Sequence, residues 1–132
     1  MPGLTIDEVL EATDRLVAAF AATDTVAYFA CFAESATFVF HPEPHRLDDR
    51  AAYETLWAGW VADGWRVEEC ESTERLVQVH GETGILSHSV RTVTSVGGER
   101  TTTYERESIV FVRDGDRLVA LHEHLSPAPA ND

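Results

Sequence analysis

Two long β-prone runs, residues 83–96 and 99–113, meet at Gly97-Gly98, and this pairing constrains the fold more than any other feature of the chain. A Gly-Gly dipeptide between such runs reads as a two-residue hairpin turn. A flat strand of about 14 residues would reach roughly 45 Å, at about 3.3 Å per residue. A chain of 132 residues has no core that wide, so the sheet must curl. A curled sheet needs cover on its concave side, and the sequence before residue 64 supplies it.

That cover reads as helices. Thr5, with Glu8 three residues later, makes a capping box, and Ile6, Val9, Leu10, Leu16, Val17 and Phe20 recur at helical spacing behind it. Thr23-Asp24 restarts the count for a short helix carrying Val26, Tyr28, Phe29 and Phe32. Residues 36–41 turn β-rich and stop at Pro42 and Pro44. Asp48-Asp49 can cap a third helix whose Tyr53, Leu56, Trp57, Trp60 and Val61 share a face, and Gly64 ends it. Residues 65–71 and 76–80 read as two short strands, and Asp114-Gly115-Asp116 turns the chain into a last strand over 118–125. The predicted class is α+β: a cone-shaped, mostly antiparallel curved sheet, a half-open barrel, with three N-terminal helices on its concave side. Residues 1–132 form one domain, and the space between helices and sheet is a natural ligand cavity.

Charge narrows the partners. With 23 acidic and 10 basic residues the net charge is -13, which repels phosphate backbones and anionic lipid heads. Nucleic acid and membrane are therefore not expected partners. All the basic residues are arginine, which removes Schiff-base lysine chemistry and the lysine of a phosphate-binding loop. Cys31 and Cys70 lie in no C-x-x-C pattern and read as free thiols rather than a disulfide or metal pair. The first 11 residues are not those of a signal peptide, and no apolar run approaches membrane length, so the cytoplasm is the expected address.

The order of elements, and the ending from Arg113-Asp114-Gly115-Asp116 to His122-Glu123-His124-Leu125-Ser126, resemble the SnoaL-like group of the nuclear transport factor 2-like superfamily. Arg106-Glu107-Ser108 is similar to that group's Arg-x-Thr/Ser on the penultimate strand, whereas Leu118 stands where the group usually carries tryptophan. The resemblance implies a small-molecule pocket protein on a fold that hosts isomerases, cyclases, dehydratases, hydrolases and non-catalytic binders. The carboxylate base of the fold's steroid isomerases has no counterpart in residues 36–41, where His41 is the one titrating group.

Strand alternation puts Leu118, Ala120, His122 and His124 on one face of the last strand, and Val119, Leu121, Glu123 and Leu125 on the other. On the strand before it, Tyr104, Arg106, Ser108 and Val110 oppose Glu105, Glu107, Ile109 and Phe111; a β-bulge would swap such faces. The resemblance suggests that the histidine set faces the cavity. On that reading His124 and His122 are the candidate proton carriers, and Tyr104 or Ser108 bonds a developing oxyanion. Arg106 is then either the anchor of an acidic ligand or the partner of an internal acid. Trp57, Trp60, Phe40 and Tyr28 are candidate walls, with plain core as their alternative role. A metal reading of His122-x-His124 lacks further ligands, and neither metal nor cofactor is expected. Two functions stand open. One is cofactor-independent acid/base catalysis (isomerisation, dehydration or cyclisation) on a small organic, acidic or polyketide-like substrate. The other is a non-catalytic ligand-binding or dimerisation domain. With Val119, Leu121, Ile109 and Phe111 outward, the convex face would be an apolar patch and the partner a second copy in a homodimer.

Overall fold

The computed structural model describes residues 3–129. Its elements run α1 (Ile6–Ala21), α2 (Thr25–Phe29), β1 (Phe32–Phe40), α3 (Arg50–Ala62), β2 (Trp65–His80), β3 (Thr83–Val96), β4 (Glu99–Asp114) and β5 (Arg117–Pro127). The strands form one sheet in the order β1-β5-β4-β3-β2. All its pairings are antiparallel except β1 with β5, which is parallel. This is the predicted α+β class: a curved sheet that does not close, with helices packed on its concave side.

Local chemistry sets the helix starts. Thr5 caps α1, its hydroxyl accepting from the Glu8 N–H while the Glu8 carboxylate accepts from the Thr5 N–H. Asp24 and Asp49 cap α2 and α3 through the amides of Ala27 and Ala52. Val9, Ala12, Leu16 and Ala19 of α1 are buried, and the helix lies very close on β3. A Cβ at Gly84 would stand 2.6 Å from Val9 Cγ2, so any larger residue there would push α1 off the sheet. The β3–β4 turn puts Gly97 and Gly98 at φ +59° and +87°, which glycine adopts without a Cβ clash.

Two expectations are corrected. Residues 65–71 and 76–80 are not separate strands but the ends of β2, which continues through irregularities between Val67 and Glu69 and between Thr73 and Leu76. The second correction concerns the sheet's faces. Ile109 and Phe111 are 0% and 1% exposed and belong to the core, so β4 turns its Glu105/Glu107/Ile109/Phe111 side inward. On β5, Leu118 and Ala120 face the core as expected. The register then slips: Phe111 pairs with Ala120, but Val110 pairs with His122. The extra residue, Leu121, is a bulge that exchanges the faces beyond it, so Glu123 and Leu125 point inward and His122 and His124 outward.

Candidate functional site

The inward faces of β2 to β5 and the apolar sides of α1, α2 and α3 enclose a cavity of about 270 Å³. Six aromatic residues, Phe20, Tyr28, Phe40, Tyr53, Trp60 and Trp65, form part of its wall. Its acidic and basic groups are four carboxyls and one imidazole, Glu107 and Glu105 from β4, Glu123 from β5, Glu43 from the loop after β1 and His88 from β3, and Thr92, Thr94 and Thr103 add hydroxyls. Among the described residues no arginine lines it.

A hydrogen-bonded chain crosses the cavity wall. His88 and Glu107 are cross-strand partners, and His88 Nε2 lies 2.7 Å from Glu107 Oε1. His88 Nδ1 lies 2.5 Å from Ser72 Oγ. Arg75 Nε donates to that same hydroxyl oxygen at 2.9 Å, and Arg75 Nη1 donates to Asp14 of α1 at 2.6 Å. In an arrangement that meets every contact, Arg75 gives to Ser72, Ser72 gives to His88 Nδ1, and His88 gives its Nε2–H to Glu107. The His88 ring is 1% exposed and Glu107 13%, so the imidazole is the buried support and the carboxylate is the end that meets the cavity.

Glu123 is unlike Glu107. It is 1% exposed, and its Oε2 has no hydrogen-bond partner. Burial, with the negative charge of Glu107 added, holds its carboxyl well above the usual range, because a charge removed from water is costly. Glu107 pairs with Leu125, so Glu123 is its diagonal neighbour on the inner face, typically about 7 Å away. The hydroxyls of Tyr28 and Tyr53 lie 2.9 Å apart. Since one donates to the other, one O–H hydrogen is left to donate elsewhere. Burial first, then the Glu123 charge, pushes both phenols well above their ordinary value. Cys70, also on the wall, is pushed up to about 11 mainly by burial, with Glu107 adding to it. At the mouth His41 Nε2 meets Glu105 Oε2 at 2.6 Å, tying the loop after β1 to β4.

The predicted site residues divide between the two faces. Phe40, Tyr28 and Trp60 line the cavity. Trp57 is 1% exposed, stacks on Tyr28 at 4.9 Å and donates its indole N–H to Thr25 at 2.9 Å, so it is core rather than wall. His122, His124, Tyr104, Arg106 and Ser108 do not line the cavity; the inward turn of β4 and the Leu121 bulge carry them to the convex face. There Thr37 Oγ1 meets His122 Nδ1 at 2.8 Å. Burial, then the neighbouring His124 charge, lowers the His122 pKa. Tyr104 and Arg106 border a separate outer hollow of about 320 Å³ with Arg91 and Ala128. Arg106 therefore neither anchors a ligand in the cavity nor pairs with an acid inside it. His88, Ser72, Glu107 and Glu123 were missed as site residues. The alternation Leu86, His88, Val90 on β3 carries the signal, since it places a histidine on an apolar inner face.

A third hollow, of about 630 Å³, lies between α1, α2 and the β4–β5 turn, and its charged side chains are Glu8, Glu11, Arg15, Asp24, Asp116 and Arg117. It is larger than the cavity, but its walls lack the aromatic enclosure and the buried carboxyl. Among the described residues no three potential metal ligands converge, and no helix is long and apolar enough to cross a membrane.

A family model for the SnoaL-like domain matches residues 9–131. No curated protein matches the chain. Among solved structures it is similar to a candidate dehydratase of the NTF2-like family from Streptomyces avermitilis, at 17% identity over 95% of this chain and 97% of that one, with a TM-score of 0.78. A candidate scytalone dehydratase from Novosphingobium aromaticivorans matches at 12% identity over 93% and 83%, with a TM-score of 0.81. The CaMKII hub of S. rosetta matches at 22% identity over 97% and 100%, with a TM-score of 0.77. At such identities these likenesses establish the NTF2-like fold and leave the chemistry to the site. The match along residues 9–131 goes further: the chain belongs to the SnoaL-like family.

Proposed function

We propose that the cavity is the active site of a cofactor-independent acid/base enzyme that moves a proton next to a carbonyl group, as dehydratases and isomerases do. One observation carries this reading: Glu107 faces a cavity rich in aromatic rings while a buried His88 holds it from behind. A carboxylate fixed by one hydrogen bond keeps a free oxygen for a substrate C–H. The free O–H of the Tyr28–Tyr53 pair supplies a donor for the enolate oxygen that forms. Dehydration then follows if a hydroxyl leaves from the next carbon, and isomerisation follows if the proton returns elsewhere. The two dehydratase-like neighbours support this choice. The test needs no known substrate. Small ketones incubated with the protein in D2O should gain deuterium at the α-carbon, and Glu107→Gln should slow this by about a hundredfold or more. A panel of ketones that exchanges no faster with protein than without it refutes the reading.

The convex face supports a second role, assembly with another copy of the chain, as the likeness to the CaMKII hub suggests. With Ile109 and Phe111 in the core and Val119 2% exposed, the expected apolar patch is smaller than the sequence implied. Leu121 and Ile85 remain 37% exposed there. A homodimer through this face predicts twice the chain mass by light scattering at micromolar concentration, and a monomer in Leu121→Glu. A monomeric wild type refutes it.

A further inference from the structure

The cavity has an unusual charge inventory. Glu123 shares the cavity with Glu107 from the neighbouring β4, His88 from β3, Cys70 from β2, and Tyr28 and Tyr53 from α2 and α3, with Glu105, Glu43 and His41 toward the mouth. Four carboxyls stand against two histidines, each already paired with a carboxylate. An anionic ligand in this cavity would meet like charge and, among the described residues, no arginine, which speaks against the acidic substrate that Arg106 suggested. The deepest of the four, Glu123, has a buried oxygen with no partner, a feature that needs an explanation in a native fold.

Aromatic rings surround that oxygen's cavity, and their faces attract cations. A bare metal ion would need several converging ligands, and among the described residues no three converge. A volume of about 270 Å³ equals roughly nine water molecules at about 30 Å³ each, room for one ring and a short arm. We propose that the cavity takes a small organic amine, whose ammonium donates to the Glu123 carboxyl while its apolar body packs against Phe20, Phe40, Trp60 and Trp65. The proposal rests on the cavity being the ligand site, and it names the charge class of the molecule that site accepts. Glu123 releases its proton as the ammonium enters, so each amine bound sets free one proton from the carboxyl, and the new pair is net neutral.

Three probes of one shape test it: 2-phenylethylamine, 2-phenylethanol and phenylacetate, titrated into the full chain and followed by the indole N–H signals in NMR spectra. The amine should bind at least about tenfold tighter than the alcohol, the acid weakest, with the Trp60 and Trp65 signals shifting most. Glu123→Gln should erase the preference for the amine and leave the alcohol's affinity within about threefold. If Glu123→Gln does not fold, calorimetry of the wild type in buffers of different ionisation heat decides: the amine should release a proton and the alcohol none. Alcohol binding as tight as the amine, with Trp60 and Trp65 responding, overturns the amine proposal and leaves the cavity as the ligand site. Amine binding that moves neither indole, or no binding by any probe, overturns both.

Discussion

Replacing Glu123 by glutamine keeps the side chain's shape and removes its titration, and the consequence is a stability difference that grows with pH. Glu123 is 1% exposed, so solvent screening does not dilute the effect. An unfolded chain loses this proton near the ordinary value of 4.5, whereas in the fold burial and the Glu107 charge keep it bound to well above that. Between those two limits folding takes up a proton. The stability it contributes is whole below the ordinary value and is lost as pH rises, by about 1.4 kcal/mol per pH unit. The amide cannot titrate, so Glu123→Gln escapes this loss and should gain on wild type at that rate from pH 5 upward. At about 4 °C per kcal/mol for a chain of this size, the gap in Tm should widen by roughly 5 °C per pH unit until Glu123 ionises in the fold. Thermal or urea unfolding of both proteins at pH 5, 6 and 7 measures it, with every other titrating group shared. Parallel curves, or a wild type that gains on the variant, would refute the claim that Glu123 is folded in its neutral form.

Two further outcomes follow from the cavity wall. His88→Leu strips Glu107 of its donor and should cost about 2 kcal/mol in urea unfolding; a loss below the error of the measurement would mean that the 2.7 Å contact holds nothing. Cys70, pushed up to about 11 by burial and then by Glu107, should react with iodoacetamide at pH 8 roughly a hundredfold more slowly in the native protein than in urea, and equal rates would show the thiol to be ordinary.

The architecture is legible in the sequence because its signals are local. The capping box Thr5/Glu8, the Asp caps and the Gly97-Gly98 turn each act within a few residues, and each stands where the spacing puts it. The continuity of β2 is not legible, because a strand that bends through Glu74 at φ +54° looks like two short ones. The site residues were assigned to the wrong face for two distinct reasons. On β4, Ile109 and Phe111 mark an inner face shared with Glu105 and Glu107, whereas the resemblance points the histidine set of β5 toward the cavity and leaves those two residues to a dimer face. On β5 the Leu121 bulge depends on pairing with β4, which no alternation within β5 can display. Glu123 and Glu107 therefore read as members of the convex face that a second copy would cover. Their neighbour His88 enters the site only when β3 and β4 align it opposite Glu107.

The inner and outer faces can be set against each other in one measurement, the rate of α-deuteration of small ketones by wild type, Glu107→Gln and His124→Ala at pH 7. Catalysis from the cavity predicts a loss of about a hundredfold or more in Glu107→Gln and a rate within about twofold of wild type in His124→Ala, whose histidine stands on the convex face outside the cavity wall. The opposite pattern, with exchange lost in His124→Ala and retained in Glu107→Gln, would contradict the assignment of the active site to the concave side.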